Sequence, residues 1–464
     1  MALAIVASLT AAAQDITIQA PSLANQYVAY PSFYLEALST TCESAATTQM
    51  GYSINYGSTT GPVTTYSGAQ SIQEMVTPPA GATNPITVNV YCWNGSGQKN
   101  STSLAVNTAE GDGVTITSPG FGNTTYGSMN LQAKAPSCAG GTTSSIGYSF
   151  NSSSDTTTVN GSTLNVQVSG PGNTGWNILR VKAWVSGSDA YCESDLPFNV
   201  PPAGGLVPSS TAQQVSVLET DANYSGSGST TALWQQESGG TSEGASGSTS
   251  IGYGSTFPTW GGNPNPAEFS SREFTLNPDG TGGGLLWFDA ATTDVANDSA
   301  TNFQYDLWVY FPTAADVNNL GNLELDTNHA VTTDAKLTYI MAVQCWITNS
   351  PSEGDGVWQT SPNGSSWQTS NATCSRSEFS AGAWHHVQIQ NQHEAEPGTG
   401  ITYGSVSVDE GTPQALTCGS EACTGTAQSL GWGSVIGPNF QLDGGNGTGT
   451  VHAYVDAMSV FYWP

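Results

Sequence analysis

Positive charge is what this sequence has least of. Seven Lys and Arg stand against 35 Asp and Glu in 464 residues, a formal net charge of −28 at pH 7. Nucleic acids and anionic lipid surfaces are both held by clustered cations, so the shortage argues against either as a partner. Also missing is any apolar run of about 18 residues, which argues against a membrane-spanning helix. Helical periodicity is nearly absent. No cysteine pair has CxxC zinc spacing, no serine sits in a nucleophile elbow, and no glycine-rich phosphate loop leads into a helix. The acid excess itself implies solubility and, more sharply, an acidic habitat. Below about pH 4 most carboxylates lose their charge, and a chain poor in Lys and Arg then escapes becoming a self-repelling polycation.

Cysteine is present in even number. Cys42 and Cys92, Cys138 and Cys192, Cys345 and Cys374, and Cys418 and Cys423 fall into sequential pairs. Proximity suggests four disulfides made in an oxidising compartment, hence a secreted or cell-surface protein. The start, "MALAIVASLTAAAQ", has an apolar run and small residues suited to cleavage after Ala13, although a positively charged opening is missing. Residues 1–13 are therefore expected to be a signal-peptide remnant.

Short alternating runs rich in Val, Ile, Thr, Tyr and Trp, punctuated by Gly, Asn, Ser and Pro, predict an all-β chain. The first 200 residues contain a repeat. "ITIQAPS" at Ile16 returns as "VTITSPG" at Val114, "FYLEALSTTC" as "MNLQAKAPSC", and "MGYSINYGS" as "IGYSFNSSS". "VNVYCWNGSGQ" is echoed by "LRVKAWVSGSD", with the second cysteine displaced to Cys192. Each copy has the length of a seven-stranded β-sandwich. The boundaries expected are 14–109 and 110–201 for the copies, 202–212 for a linker that overlaps "VPPAGGLVPSS" at Val200–Ser210, and 213–464 for one larger domain. The copies resemble the immunoglobulin-like modules of secreted bacterial and surface proteins, which implies spacers in a rod-like molecule.

In the larger domain ten or more strands without helices fit a two-sheet jelly roll. "LELDT", "WHHVQIQ" and the closing "YVDAMSVFYW" carry a resemblance to the concanavalin A-like lectin/glucanase superfamily. The whole combination is similar to secreted bacterial proteins that join Ig-like repeats to a C-terminal domain of this kind. Side chains alternate along a strand, so each run divides into an apolar and a polar face. The polar faces hold Asp306, Trp308 and Tyr310; Glu324, Asp326 and Asn328; Gln344 and Trp346; Trp384, His386, Gln388 and Gln390; and Asn439, Gln441 and Asp443. His385 falls on the apolar side, as a hydrogen-bonded core residue. Large aromatics among amides and carboxylates suit a sugar, whose C–H face stacks while its hydroxyls find polar partners. If the strands share one sheet, these groups line one hollow.

Glu324 and Asp326 admit other chemistry. The glucanases of this superfamily carry ExDxE, in which the first Glu attacks, the Asp orients and the last Glu protonates; here the third position is Asn328. An amide cannot donate and recover a proton, so hydrolysis would draw its acid from Asp443, Asp409 or Glu394. The stretch also resembles the "VELDT" strand of legume-type lectins, which implies Ca²⁺ on Glu324, Asp326, Asn328 and Asp334, hard oxygen ligands. Lyase chemistry would use His386 or Tyr310 as base beside a carboxylate-neutralising cation. The domain's candidates, Arg272, Lys336 and Arg376, lie off the polar faces. The expected function is recognition of a neutral polysaccharide or surface glycan. Cleavage by Glu324 and Asp326, with His386 as a further catalytic candidate, is the alternative, and a structural or adhesive surface protein is the third class.

Overall fold

The computed structural model describes residues 15–21, 26–28, 33–67, 69–79, 82, 85–108, 113–120, 123–151, 156–172, 174–187, 191–217, 234–236, 245–253, 270–278, 284–289, 298–331, 336–347, 356–432, 435–445 and 448–464. The expected signal remnant lies outside them. The chain is all-β, built from antiparallel sheets packed as sandwiches. The alternating sequence explains this, because each strand buries one row of side chains and leaves the other outward. Among the described residues three large hydrophobic cores result, within residues 16–106, 114–200 and 245–462, besides one small cluster between the last two.

The repeat is visible as repeated topology. In the first copy Thr17–Ala20, Phe33–Leu38 and Ser71–Val76 form one sheet; in the second, Thr115–Ser118, Ser128–Lys134 and Thr163–Ser169 do the same. The four expected disulfides form, Cys42–Cys92, Cys138–Cys192, Cys345–Cys374 and Cys418–Cys423. The displaced cysteine has a simple explanation. Ala183 occupies the position equivalent to Cys92, and Ala183 is the direct cross-strand partner of Cys192. Moving the thiol one strand sideways leaves it within reach of Cys138.

The copies are not separate beads. Gln26–Val28 pairs in parallel with both Lys99–Thr108 and Tyr191–Val200, joining the second sheets of the two copies into one. Between the copies lies a buried group of charges. Arg180 Nη1 is 3.1 Å from Asp195 and 3.4 Å from Glu193, Lys182 Nζ is 3.7 Å from Glu193, and Arg180 Nη2 donates to the Gln19 carbonyl of the first copy. Glu36 of the first copy is buried beside this cluster. Burial pushes its pKa up to about 8, against the opposing pull of Arg180.

In the C-terminal unit a nine-stranded sheet faces a seven-stranded one. The nine-stranded sheet runs Ser246–Tyr253, Ser270–Asn277, Val451–Trp463, Asn302–Tyr310, Trp384–His393, Gly400–Val408 and Gln414–Ala415, with Gln213–Val217 and Thr424–Thr426 as side branches. The seven-stranded sheet runs Trp234–Gln236, Gly284–Asp289, Val435–Gly444, Leu320–Ala330, Thr338–Trp346, Val357–Thr360 and Gln368–Thr373. Leu307, Val309, Val387, Ile389 and Val460 from one meet Leu323, Leu325, Val343, Phe440 and Leu442 from the other. A short helix absent from the expected pattern, Ala314–Asn319, begins where Thr313 and Asp316 form a reciprocal capping box. Arg376 donates to the carbonyls of Val317 and Leu320 near its end.

The Glu36 pKa sets a direction for pH dependence. A carboxyl raised from 4.5 to about 8 in the fold is held protonated there, so its contribution is complete below 4.5 and lost as pH rises to about 8. Thermal melts should therefore show the paired copies gaining stability as pH falls from 8 to 5, with a smaller slope in Glu36→Gln. Identical slopes in the two proteins would refute this.

Candidate functional site

The strands whose polar faces were expected to share a hollow are divided between the two sheets. Trp308, Tyr310, Trp384, His386, Gln388 and Gln390 belong to the nine-stranded sheet, and Glu324, Asp326, Asn328, Gln344, Trp346, Asn439, Gln441 and Asp443 to the seven-stranded sheet. Both polar faces point away from the core they enclose, so they look in opposite directions. His386 therefore does not join Glu324 and Asp326. The physical reason is the crossover through Ala314–Asn319, which carries the chain from one sheet to the other between two strands of the same alternating pattern.

The polar face of the nine-stranded sheet is covered. Tyr126 of the second copy donates its hydroxyl to Asp306 Oδ2 and accepts from Gln388 Nε2 at 2.6 Å. Gln388 also donates to the Leu206 carbonyl at 2.7 Å, and its Oε1 accepts from Leu206 N at 2.9 Å. Gly205, at φ +66°, lets the chain lie this close, since a Cβ there would run into Gln388 Oε1. Gln390 reaches the Val207 carbonyl. Trp176, Trp308 and Ala457 form a small apolar cluster, with Trp384 packed against it and Tyr310 5.4 Å from the Trp384 ring. The expected linker is thus docked along the sheet.

At the centre of this contact His386, fully buried, has Nε2 2.7 Å from Asp306 Oδ1 and Nδ1 2.5 Å from Glu410 Oε1. Its ring stacks on Trp308 at 4.4 Å with 1° between the planes. Burial alone would lower its pKa, but Asp306 and Glu410 override that and push it up to about 9. The imidazolium is the cation of the interface. His385, on the core side, spans Asp409 at 2.8 Å and the Ser380 carbonyl at 2.9 Å.

The seven-stranded sheet carries the other polar face, ordered in rows by strand register; Asn322, Glu324, Asp326, Asn328, Gln344 and Gln359 are buried on it, while Trp346, Asn439, Gln441 and Asp443 are half-buried. Asp443, Asn322, Trp346 and Val357 form the first row, and Gln441, Glu324, Gln344, Gln359 and Thr369 the second. Asn439, Asp326 and Ala342 form the third, and Gly437, Asn328 and Ile340 the fourth. A chain of amides crosses the rows. Asn322 Nδ2 donates to Asp443 Oδ2 and to Gln344 Oε1 at 2.9 Å, Gln344 Nε2 to Gln359 Oε1 at 2.7 Å, and Gln359 Nε2 to Thr369 Oγ1 at 3.3 Å. Gln441 Nε2 donates to Asp443 Oδ1 at 2.8 Å, and Asn439 Nδ2 to Asp326 Oδ2 at 3.4 Å. Trp346 Nε1 and Asn328 Oδ1 are buried there with no hydrogen-bond partner.

Asn322 and Gln359 were missed as site residues. Extending the alternation two residues before Glu324, or applying it to "VWQTS", would have found both.

The described residues fit calcium poorly. Glu324, Asp326 and Asn328 bring two carboxylates and one amide from a single strand, whereas Ca²⁺ takes about six to eight oxygens. Asp334 lies outside the described residues, among which no group of three or more His, Cys, Asp or Glu is placed to hold a metal. Of the three acids considered for hydrolysis, Asp443 alone stands on this face. Asp409 bonds the two histidines of the other sheet, and Glu394 accepts from Gly400 N. The lyase cations are also elsewhere: Arg272 is buried in the nine-stranded sheet, and Arg376 bonds backbone carbonyls.

No protein-family model matches the chain, and no curated protein matches it. Solved structures give distant likenesses. Fibronectin(III)-like modules of Clostridium thermocellum CbhA are 15% identical over 40% of this chain and 94% of theirs, with a TM-score of 0.19. A carbohydrate-binding module of the β-sandwich superfamily is 11% identical over 75% and 98%, with a TM-score of 0.23. A carbohydrate esterase from the Shiga toxin-encoding bacteriophage phi24B is 12% identical over 55% and 100%, with a TM-score of 0.28. At such scores nothing about the action of this chain follows from them.

The raised His386 pKa stabilises the covered face in a defined window. The contribution is complete below about 6.5, the ordinary histidine value, and is lost as pH rises to about 9. Asp306→Asn removes the anion facing a fully buried cation and should cost about 3 kcal/mol, seen as a lower calorimetric Tm at pH 6. An unchanged Tm would show that the pair does not hold the contact.

Proposed function

We propose that the C-terminal unit, a concanavalin A-like jelly roll over residues 213–464, binds a neutral polysaccharide or cell-surface glycan outside the cell. The ligand lies on the outward face of the seven-stranded sheet. Trp346 stacks on a sugar ring, while Gln344, Gln441, Asn439, Asp443, Glu324, Asp326, Asn322 and Gln359 meet hydroxyls. Residues 14–109 and 110–201 serve as Ig-like spacers, joined to the jelly roll by 202–212. Trp308, Tyr310, Trp384, Gln388 and Gln390 take a different role in this reading, holding the second spacer in place.

What supports the reading is one observation. On this face Trp346 is half-buried in one row with Asn322 and Asp443, and Asp443, Gln441 and Asn439, also half-buried, follow one another along a single strand. A flat ring set among amides and a carboxylate offers a sugar both a stacking surface and hydrogen-bond partners. The rows hold no Lys or Arg, which favours an uncharged glycan over a polyanion.

A second reading, cleavage, is favoured by Asp443, which stands one row from Glu324 on the neighbouring strand. Glu324 would attack the anomeric carbon and Asp443 would protonate the leaving oxygen, the two-carboxylate scheme of a retaining glycosidase. Both Asp443 oxygens already accept from amides, Asn322 and Gln441, which makes binding the better-supported reading.

Retention on insoluble neutral glycans should fall at least fivefold in Trp346→Ala, an aromatic contact being worth about 1 kcal/mol, with no reducing ends released by the wild type. Release of reducing ends that disappears in Glu324→Gln would establish the enzyme instead. Failure to bind any member of a broad glycan array would sink both.

A further inference from the structure

Two buried histidines that belong to neither polar face meet inside the C-terminal sandwich. His329 stands on the inward side of Leu320–Ala330, with Leu323 and Leu325, and so comes from the seven-stranded sheet. His393 ends Trp384–His393 on the side of Val387 and Ile389, in the nine-stranded sheet. His329 Nδ1 is 2.8 Å from His393 Nε2, so one hydrogen bond ties the two sheets together. Both rings are buried among aromatics. Tyr339 stacks on His393 with centroids 3.7 Å apart and 11° between the planes, and the Phe303 ring lies 5.2 Å from His329 and 5.4 Å from His393.

The backbone fixes which nitrogen carries a proton. His393 Nδ1 is 2.6 Å from the Glu394 carbonyl. A carbonyl only accepts, so Nδ1 is the donor, Nε2 is left with its lone pair, and His329 Nδ1 donates to it. Both nitrogens of His393 are thereby committed, and a proton added at Nε2 would set two N–H groups against each other. Burial also disfavours the charged ring. It holds the His393 pKa below the ordinary 6.5, against the smaller pull of the Glu394 carbonyl. Of the elements packed around the pair, Asn302–Tyr310 and Val435–Gly444 bring the uncharged Phe303 and Ile436. Thr338–Trp346 brings Tyr339, which donates to the Gly398 carbonyl at 2.6 Å. The carboxylates of Glu394 and Glu396 act on Tyr339, and that of Glu394 accepts from Gly400 N.

We propose that the His329–His393 bond is an acid-released latch between the two sheets of the C-terminal unit. Opening frees His393 Nε2 to take a proton that the closed pair refuses. The contribution of the latch is therefore complete above about 6.5 and is lost as pH falls below it. Its sign is opposite to that of Glu36 and His386, whose contributions are complete in acid. Acid thus tightens the joints between units while loosening this end of the sandwich.

The test uses the full chain, whose five histidines give few signals to assign. With ¹⁵N-labelled histidine, NMR near pH 7.5 should show His393 protonated at Nδ1 and not at Nε2, with a titration midpoint below the ordinary histidine value. The opposite tautomer, or a midpoint at or above that value, overturns the latch. Hydrogen exchange, corrected for its intrinsic pH dependence, should show the opening of Leu320–Ala330 and Trp384–His393 increasing up to about tenfold per pH unit below 6.5, the factor for uptake of one proton. His393→Gln places an amide oxygen where Nε2 accepts and removes the titration, so the increase should disappear. An equal increase in that variant, or none in the wild type, refutes the proposal. Should His393→Gln fail to fold, the wild-type tautomer and midpoint decide alone.

Discussion

The contact between the second N-terminal copy and the nine-stranded sheet governs what the rest of the chain can do. A sheet face carrying Asp306, His386, Gln304 and Gln388 would ordinarily rest in water; here all four are fully buried. Desolvating a carboxylate and an imidazolium together is expensive and is tolerated only where hydrogen bonds satisfy what water gave up. Asp306 meets His386 on one oxygen and Tyr126 on the other, His386 gains Glu410 on its far nitrogen, and the glutamines are taken up by Tyr126 and the Leu206 backbone. Asp306, His386 and Glu410 belong to the C-terminal unit itself, whereas Tyr126 and the Leu206 backbone come from the second copy and the linker, so the network is complete only when the units are docked. It fixes the unit and closes the hydrophilic surface of the nine-stranded sheet.

The scarcity of positive charge acts locally as well as globally. Two of the seven Lys and Arg, Arg180 and Lys182, are buried between the N-terminal copies among Glu36, Glu193 and Asp195. With so few cations, the second interface uses a histidine instead. The result is that each contact depends on a proton: one on a carboxyl held neutral by burial, the other on an imidazole held charged by carboxylates. Both protons are retained more firmly as pH falls. The low Lys and Arg content points the same way through net charge, since a polycation is avoided when carboxylates are neutralised. Local and bulk electrostatics therefore favour acid by separate mechanisms.

Much of this was legible in the amino-acid sequence because it follows from local periodicity. The all-β class, the strand runs, the repeat and the side of each strand on which Glu324, Trp346 or His386 stands all come from a two-residue alternation. The disulfides followed because paired cysteines were near each other in sequence; Cys192 shows how far that tolerance goes, one strand sideways. Sheet membership was not legible. Asn302–Tyr310 and Leu320–Ala330 have the same pattern and neighbour each other in sequence, yet a capped single-turn crossover puts them in different sheets. Nor can periodicity tell a polar face awaiting solvent from one awaiting another part of the same chain. The difference lies in Tyr126, Gly205 and Leu206, residues of an unremarkable loop and linker.

Two similar polar faces thus have different fates, and their hydrogen bonding explains why. On the nine-stranded sheet Gln304, Asp306 and Gln388 take partners from the second copy and the linker. On the seven-stranded sheet a run of side chains, Asp443, Asn322, Gln344, Gln359 and Thr369, bonds along itself. Amides oriented by their neighbours have already lost their rotational freedom, so a ligand meeting them has less ordering to supply. The same fixing counts against proton transfer. An acid that must release and recover a proton needs an oxygen free to approach the leaving group, and Asn328 stands where the glucanase pattern has that acid, while both oxygens of Asp443 accept from neighbouring amides. The arrangement therefore weighs toward the proposed binding and against the proposed cleavage.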